Sequence, residues 1–60
     1  MSDRNYKMMQ DVMECLVNMG YSNGDEIPYY DFSECCYSLG LNPKDVDMDY
    51  MEDIYDIAIV

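Results

Sequence analysis

The sequence predicts an all-α fold, a compact three-helix bundle that forms one domain over residues 1–60. A chain of 60 residues can bury one small core and carry little beside it. Three segments repeat apolar residues at helical spacings of three and four, and glycine or proline lies between them. Because 50% of the residues are hydrophobic and 13% are aromatic, we expect the chain to fold despite a net charge of -10.

The first predicted helix covers residues 3–19 and is amphipathic. Gly20 follows it and suits the left-handed conformation that closes many helices. Residues 21–26 have the composition of a turn, and Ile27 is pushed into extended geometry by Pro28, which can open the next helix. The apolar positions of the first helix are Met9, Val12, Met13, Leu16 and Met19.

The second predicted helix covers residues 29–39, with Gly40 as its cap and Leu41 folding back as the hydrophobic contact of that cap. Asn42 and Pro43 are typical of an N-cap followed by a first-turn proline. The apolar positions of this helix are Phe32, Cys35, Cys36 and Leu39.

The third predicted helix covers residues 44–57, and the sequence leaves open a start as late as Asp45 or Asp47. Residues 57–60 are rich in β-branched side chains and could form a short strand instead, although a single strand needs a partner. Acids near the end of this helix, such as Asp53 and Asp56, oppose the helix dipole, which is a local cost. The predicted buried positions are Val46, Tyr50, Met51, Ile54 and either Ile57 or Ala58.

The acids of the third helix are the main candidate for a functional surface. Along a helix from residue 45 to 56, eleven steps of about 1.5 Å span roughly 16 Å. Five carboxylates over that length give one charge per roughly 3 to 4 Å, close to the phosphate spacing of about 3.4 Å along one strand of DNA. Tyrosines are enriched in protein interfaces, so two of them are expected to anchor the surface. The predicted partner-binding residues are Asp45, Asp49, Glu52, Asp53, Asp56, Tyr50 and Tyr55, with Asp31 and Glu34 as a secondary patch.

Composition argues against several classes of function. The chain has 13 acidic and three basic residues, so nucleic acid and anionic membranes are poor partners and a basic protein is a natural one. Without histidine, a cysteine or serine nucleophile lacks its usual base, so we expect no enzyme and no cofactor. No membrane span or signal peptide is apparent, which predicts a cytoplasmic protein, and the three cysteines are expected to be reduced.

Asp45, Asp47 and Asp49 alternate as in a calcium loop, and Asp56 stands at the twelfth position. The sixth position is Tyr50, where the sharp turn of such a loop needs glycine. The sequence therefore predicts no metal site.

The stretch from Asp31 to Asp45, which contains Ser-Leu-Gly-Leu-Asn-Pro, resembles the outgoing helix and linker of the first EF-hand in the calmodulin and myosin light chain family. Met51 is placed like a core methionine of that family, and Val12, Leu16 and Met19 match its incoming helix. The loop departs from the pattern, because Gly20, Ser22 and Gly24 would occupy ligand positions one, three and five, and only Ile27 and Asp31 are in register. The resemblance implies a calcium-independent half-lobe that grips an amphipathic helix. The same residues would also suit any tight helix-to-helix turn.

In size and charge, without any shared motif, the chain also resembles the short acidic inhibitors of phages, anti-CRISPR proteins among them. This resemblance implies a non-enzymatic inhibitor that blocks a basic, nucleic-acid-handling partner by imitating DNA, in the host cytoplasm if a phage encodes it. The EF-hand-like adaptor is the alternative. A homodimer is a further possibility, because a chain of this length buries little surface alone.

Overall fold

The computed structural model describes residues 3–60, and for residues 3 and 4 it describes the backbone alone. It confirms the predicted all-α fold with three helices and adds a minor two-stranded sheet. In chain order the elements are α1 (Asp3–Asn18), β1 (Glu26–Ile27), α2 (Tyr29–Ser38), a 3-10 turn (Pro43–Asp45), α3 (Met48–Tyr55) and β2 (Ala58–Ile59). Over residues 3–60, the longest helix has 16 residues, and no helix has the length and apolar character needed to cross a membrane.

Both predicted glycine caps are present. Gly20 and Gly40 have φ angles of 109° and 73°, which residues with a Cβ rarely adopt. After α1 the amide of Tyr21 donates to the carbonyl of Leu16 (3.1 Å), and after α2 the amide of Leu41 donates to Cys36 (2.8 Å). These are the six-to-one bonds of the Schellman motif.

The third segment is not one continuous helix from residue 44 to 57. Pro43–Asp45 forms a 3-10 turn whose N-cap is Asn42, as predicted for that residue. The backbone is then extended at Val46 and Asp47, and the carboxylate of Asp47 accepts a hydrogen bond from the amide of Tyr50 (3.1 Å). A new helix therefore begins at Met48, because Asp47 is its N-cap.

The last residues form a strand, which settles the alternative left open by the sequence. β2 pairs in parallel with β1, with Glu26 opposite Ala58 and Ile27 opposite Ile59. The amide of Val60 donates to the carbonyl of Ile27 (2.9 Å). The sequence predicts only extended backbone at Ile27 ahead of Pro28, and local spacing does not indicate its pairing with a distant strand.

All three helices and β1 contribute to one core, with further side chains from the segments that flank α3. Four predicted core residues are instead exposed. Met19 (48% exposed) and Leu39 (42%) follow the last helical residues of α1 and α2, while Tyr50 (37%) and Ile54 (38%) are turned outward because α3 begins again at Met48. The buried side chains are Met9, Val12, Met13, Leu16, Ile27, Phe32, Cys35, Cys36, Val46, Met51 and Ile57.

Candidate functional site

The predicted acids of α3 share one side of this helix. Successive residues of an α-helix are about 100° apart, so Asp49 and Asp53 lie about 40° from each other and Glu52 about 60° to the other side of Asp49. Asp49 and Asp53 are exposed, whereas the opposite side of the helix carries the buried Met51. We call Asp49, Glu52, Asp53 and Asp56 the α3 acidic face.

Asp45 does not belong to this helix. It lies in the 3-10 turn, and the extended residue Val46 separates that turn from the cap of α3 at Asp47. From Asp49 to Asp56 the rise is about 10 Å, compared with the roughly 16 Å expected for a continuous helix. The charged surface on α3 is thus shorter than predicted and comprises four of the five acids.

Glu52 also stabilises the chain terminus. Its Oε2 accepts a hydrogen bond from the amide of Ile59 at 2.8 Å, and the side chain is partly buried. In a parallel pair, alternate amides of an edge strand face away from the partner strand, and this carboxylate satisfies one of them. Glu52 is therefore held in place and has less freedom to meet a partner than Asp49 or Asp53.

Asp56 ends α3 in the left-handed conformation, with φ 55° and ψ 42°. Its amide donates to the carbonyl of Glu52, and so does the amide of Ile57 at 3.3 Å. Asp56 thus occupies the position that Gly20 and Gly40 take at the other helix ends, and its exposed carboxylate lies at the negative end of the helix.

The two tyrosines predicted as anchors differ in their surroundings. Tyr50 is 37% exposed and lies one helical turn from the exposed Ile54, so the pair borders the acidic face with apolar area. Tyr55 packs against the core, and its burial raises the pKa of its phenol above the usual value. The sequence predicts Ile54 as a core residue, and the structure exposes it. Asp47 as an N-cap indicates where the helix begins but not which of its sides faces the core.

The secondary patch on α2 is engaged with tyrosines. The Tyr21 hydroxyl donates a hydrogen bond to the partly buried carboxylate of Asp31, and this bond raises the pKa of Tyr21. A hydrogen bond to the Glu34 carboxylate likewise raises the pKa of the exposed Tyr30. The structure thus assigns Asp31 a role in joining the α1–α2 loop to α2, while Glu34 remains exposed.

Few positive charges balance these acids. For side chains of residues 5–60, the one ion pair joins Lys7 to Asp11 at 2.7 Å, on the exposed side of α1. None of the three helices has a basic residue in its last turn. In the same part of the chain, no group of three histidine, cysteine, aspartate or glutamate side chains is arranged to hold a metal ion.

We compared the chain with protein-family models, with curated proteins and with solved structures, and found no match in any of the three comparisons.

Proposed function

We propose that this protein is a non-enzymatic inhibitor that binds a basic, nucleic-acid-handling protein through the α3 acidic face and competes with nucleic acid for its groove. The observation that carries the proposal is the exposure of Asp49 and Asp53 at the centre of that face, with no ion pair to either among the described side chains. Carboxylates that are not neutralised by the chain itself can be neutralised by the lysines and arginines of a partner.

The border of the face supports protein binding in particular. Tyr50 and Ile54 add apolar area beside Asp49 and Asp53, and interfaces between proteins combine such anchors with a polar rim. Asp45 on the neighbouring 3-10 turn adds charge beyond the face, and Asp56 carries the face to the end of the helix.

The EF-hand-like adaptor has less support from the geometry. It relies on apolar side chains that grip a target helix, and Phe32 would be foremost among them. Phe32, Met9 and Met51 are at most 1% exposed and are already packed in the core. An adaptor would have to open the bundle before it could use them.

The test measures competition with DNA. The protein is immobilised, proteins retained from a cell lysate are identified, and each purified partner is titrated with and without duplex DNA. We expect DNA to displace the partner and the affinity to fall at least tenfold when NaCl rises from 50 to about 200 mM, because charge contacts are screened.

Two double variants locate the surface. We expect D49N/D53N to weaken binding at least tenfold, whereas E14Q/E26Q changes the net charge equally at exposed positions outside the α3 acidic face and should weaken it less than about threefold. Simultaneous binding of DNA and this protein, or equal effects of the two double variants, would contradict the proposal. Affinity for an amphipathic peptide that is insensitive to salt would favour the adaptor.

A further inference from the structure

Three sulfur atoms meet where the C-terminal part of α1 packs on α2. The Cys35 thiol donates a hydrogen bond to the thioether sulfur of Met19 (3.8 Å) and also interacts with the thiol of Cys15. Cys15 and Cys35 are both free thiols. The cluster plays no part in the acidic face on α3.

We propose that Cys15, Cys35 and Met19 form a three-sulfur site for a soft monovalent metal ion, Cu(I). Thiolate and thioether sulfurs are the protein ligands that select Cu(I). With metal–sulfur bonds of about 2.3 Å, two sulfurs of a trigonal site lie about 4 Å apart. The observed separation of 3.8 Å between the sulfurs of Cys35 and Met19 is close to this value, so these two ligands are already spaced for a metal.

The ligand set distinguishes Cu(I) from harder and four-coordinate ions. Structural zinc takes four ligands, and no group of three histidine, cysteine, aspartate or glutamate side chains among the described residues could hold it. A disulfide between Cys15 and Cys35 would use two of the three sulfurs and would require them to approach to about 2 Å. A disulfide would not involve the thioether of Met19, which accepts a hydrogen bond from Cys35 in the metal-free chain and would become the third ligand of a bound metal.

The site is open on one side. Cys35 is fully buried, but Met19 is 48% exposed, and Cys15 lines an open groove of about 310 Å³ together with the carboxylates of Asp11 and Glu14. A cation can therefore reach the sulfurs from solvent. The Glu14 carboxylate raises its local concentration, whereas Asp11 is already paired with Lys7.

The binding step is balanced without an oxidant. The S–H bonds of Cys15 and Cys35 break and release two protons to solvent, two thiolate–copper bonds form, and Met19 donates a lone pair without losing a proton. Two thiolates and one Cu(I) carry a net charge of minus one, so the metal compensates part of the charge that the buried thiols would otherwise acquire.

The experiment titrates the full chain with Cu(I) under anaerobic conditions, with ascorbate as reductant and bicinchoninate as competing chelator. We expect one Cu(I) per chain, a Tm that rises on loading, and an X-ray absorption spectrum with sulfur ligands at about 2.3 Å. M19L should weaken binding about tenfold and C15S at least a hundredfold, because each removes one of three soft ligands.

Controls separate the site from general thiol chemistry. M48L alters a partly buried methionine outside the cluster and should bind Cu(I) as the parent does. Since C35S could fail to fold, the partly exposed Cys15 and Met19 carry the test, and circular dichroism verifies their variants. Failure to compete with the chelator, equal binding by C15S, or conversion to a Cys15–Cys35 disulfide without retained copper would each overturn the proposal. None of these results depends on binding at the acidic face.

Discussion

Asp56 has two roles in the structure. Its backbone ends α3 in the left-handed conformation, and its carboxylate belongs to the α3 acidic face. Each of the three helices ends at a residue with positive φ, and Asp56 is the one that is not glycine (φ 55°). Aspartate adopts the left-handed conformation at a lower free-energy cost than most residues with a Cβ, but at a higher cost than glycine. Its carboxylate also faces the negative end of α3.

We expect D56G to be more stable than D56A by about 1 kcal/mol, because both variants remove the same charge and only alanine keeps a Cβ at positive φ. For a chain of this size that difference corresponds to about 4–8 °C in Tm, which calorimetry can measure. Equal Tm values for the two variants would show that the backbone at this position relaxes after substitution.

Tyr55 is expected to make the free energy of unfolding decrease at alkaline pH. Burial raises the pKa of its phenol in the folded state above the ordinary value of 10.0, so the folded state holds this proton more tightly than the unfolded state does. The contribution is fully present below pH 10 and is lost as the pH rises through the folded pKa.

We therefore expect Y55F to lose less unfolding free energy than the parent between pH 9 and about 11, as measured by urea denaturation at each pH. Y37F is the matched control, because Tyr37 is 69% exposed and its phenol can be removed without changing the core. Parallel pH profiles for Y55F and the parent would contradict the argument.

Short sequence motifs predict the helix boundaries that are set by contacts between neighbouring residues. Gly20, Gly40 and the Asn42–Pro43 pair marked helix boundaries through the geometry of a few neighbouring residues. Asp47 separates the 3-10 turn from α3, because its carboxylate accepts a hydrogen bond from the amide of Tyr50 and so begins a new helix. The residues around Asp47 would also allow a longer, continuous helix. The sequence therefore predicts one continuous helix face for the acids between residues 45 and 56. In the structure these acids are divided among a 3-10 turn, an N-cap and a shorter helix.

Two features could not be predicted from local patterns because they join distant parts of the chain. The β1–β2 pair brings residues 26–27 to residues 58–59. The three-sulfur cluster brings Cys15 to Cys35, and it exists only because α1 packs on α2. Spacing along the sequence carries no information about either contact.

The Glu52 side chain links α3 to β2, so its removal should loosen the strand. We expect E52A to lower the unfolding free energy by about 1.5–3 kcal/mol, since it removes an ionised acceptor from the amide of Ile59. E52Q keeps an acceptor oxygen and should lose less. Hydrogen exchange at Ile59 should accelerate in E52A and stay close to the parent rate in D53A, which removes an exposed charge from the same helix.

The whole molecule holds a net charge of -10 with a radius of gyration of only 10.2 Å. At physiological ionic strength the Debye length is about 8 Å, so most of its carboxylates interact with several others. Folding brings these charges together, whereas the unfolded chain holds them apart. The surface proposed to bind a basic partner is therefore also a source of instability for the free protein.

This repulsion predicts that salt stabilises the free protein. We expect the Tm to rise by several degrees between 20 and about 500 mM NaCl, because the Debye length falls from more than 20 Å to less than 5 Å and screens the carboxylates from one another. Choline chloride should give the same increase, since screening depends on ionic strength and not on the identity of the cation. The D49N/D53N variant should begin at a higher Tm in low salt and gain less from added salt. A flat profile for the parent would show that the unfolded chain carries equal repulsion, and a larger effect of sodium than of choline would indicate bound cations in place of screening.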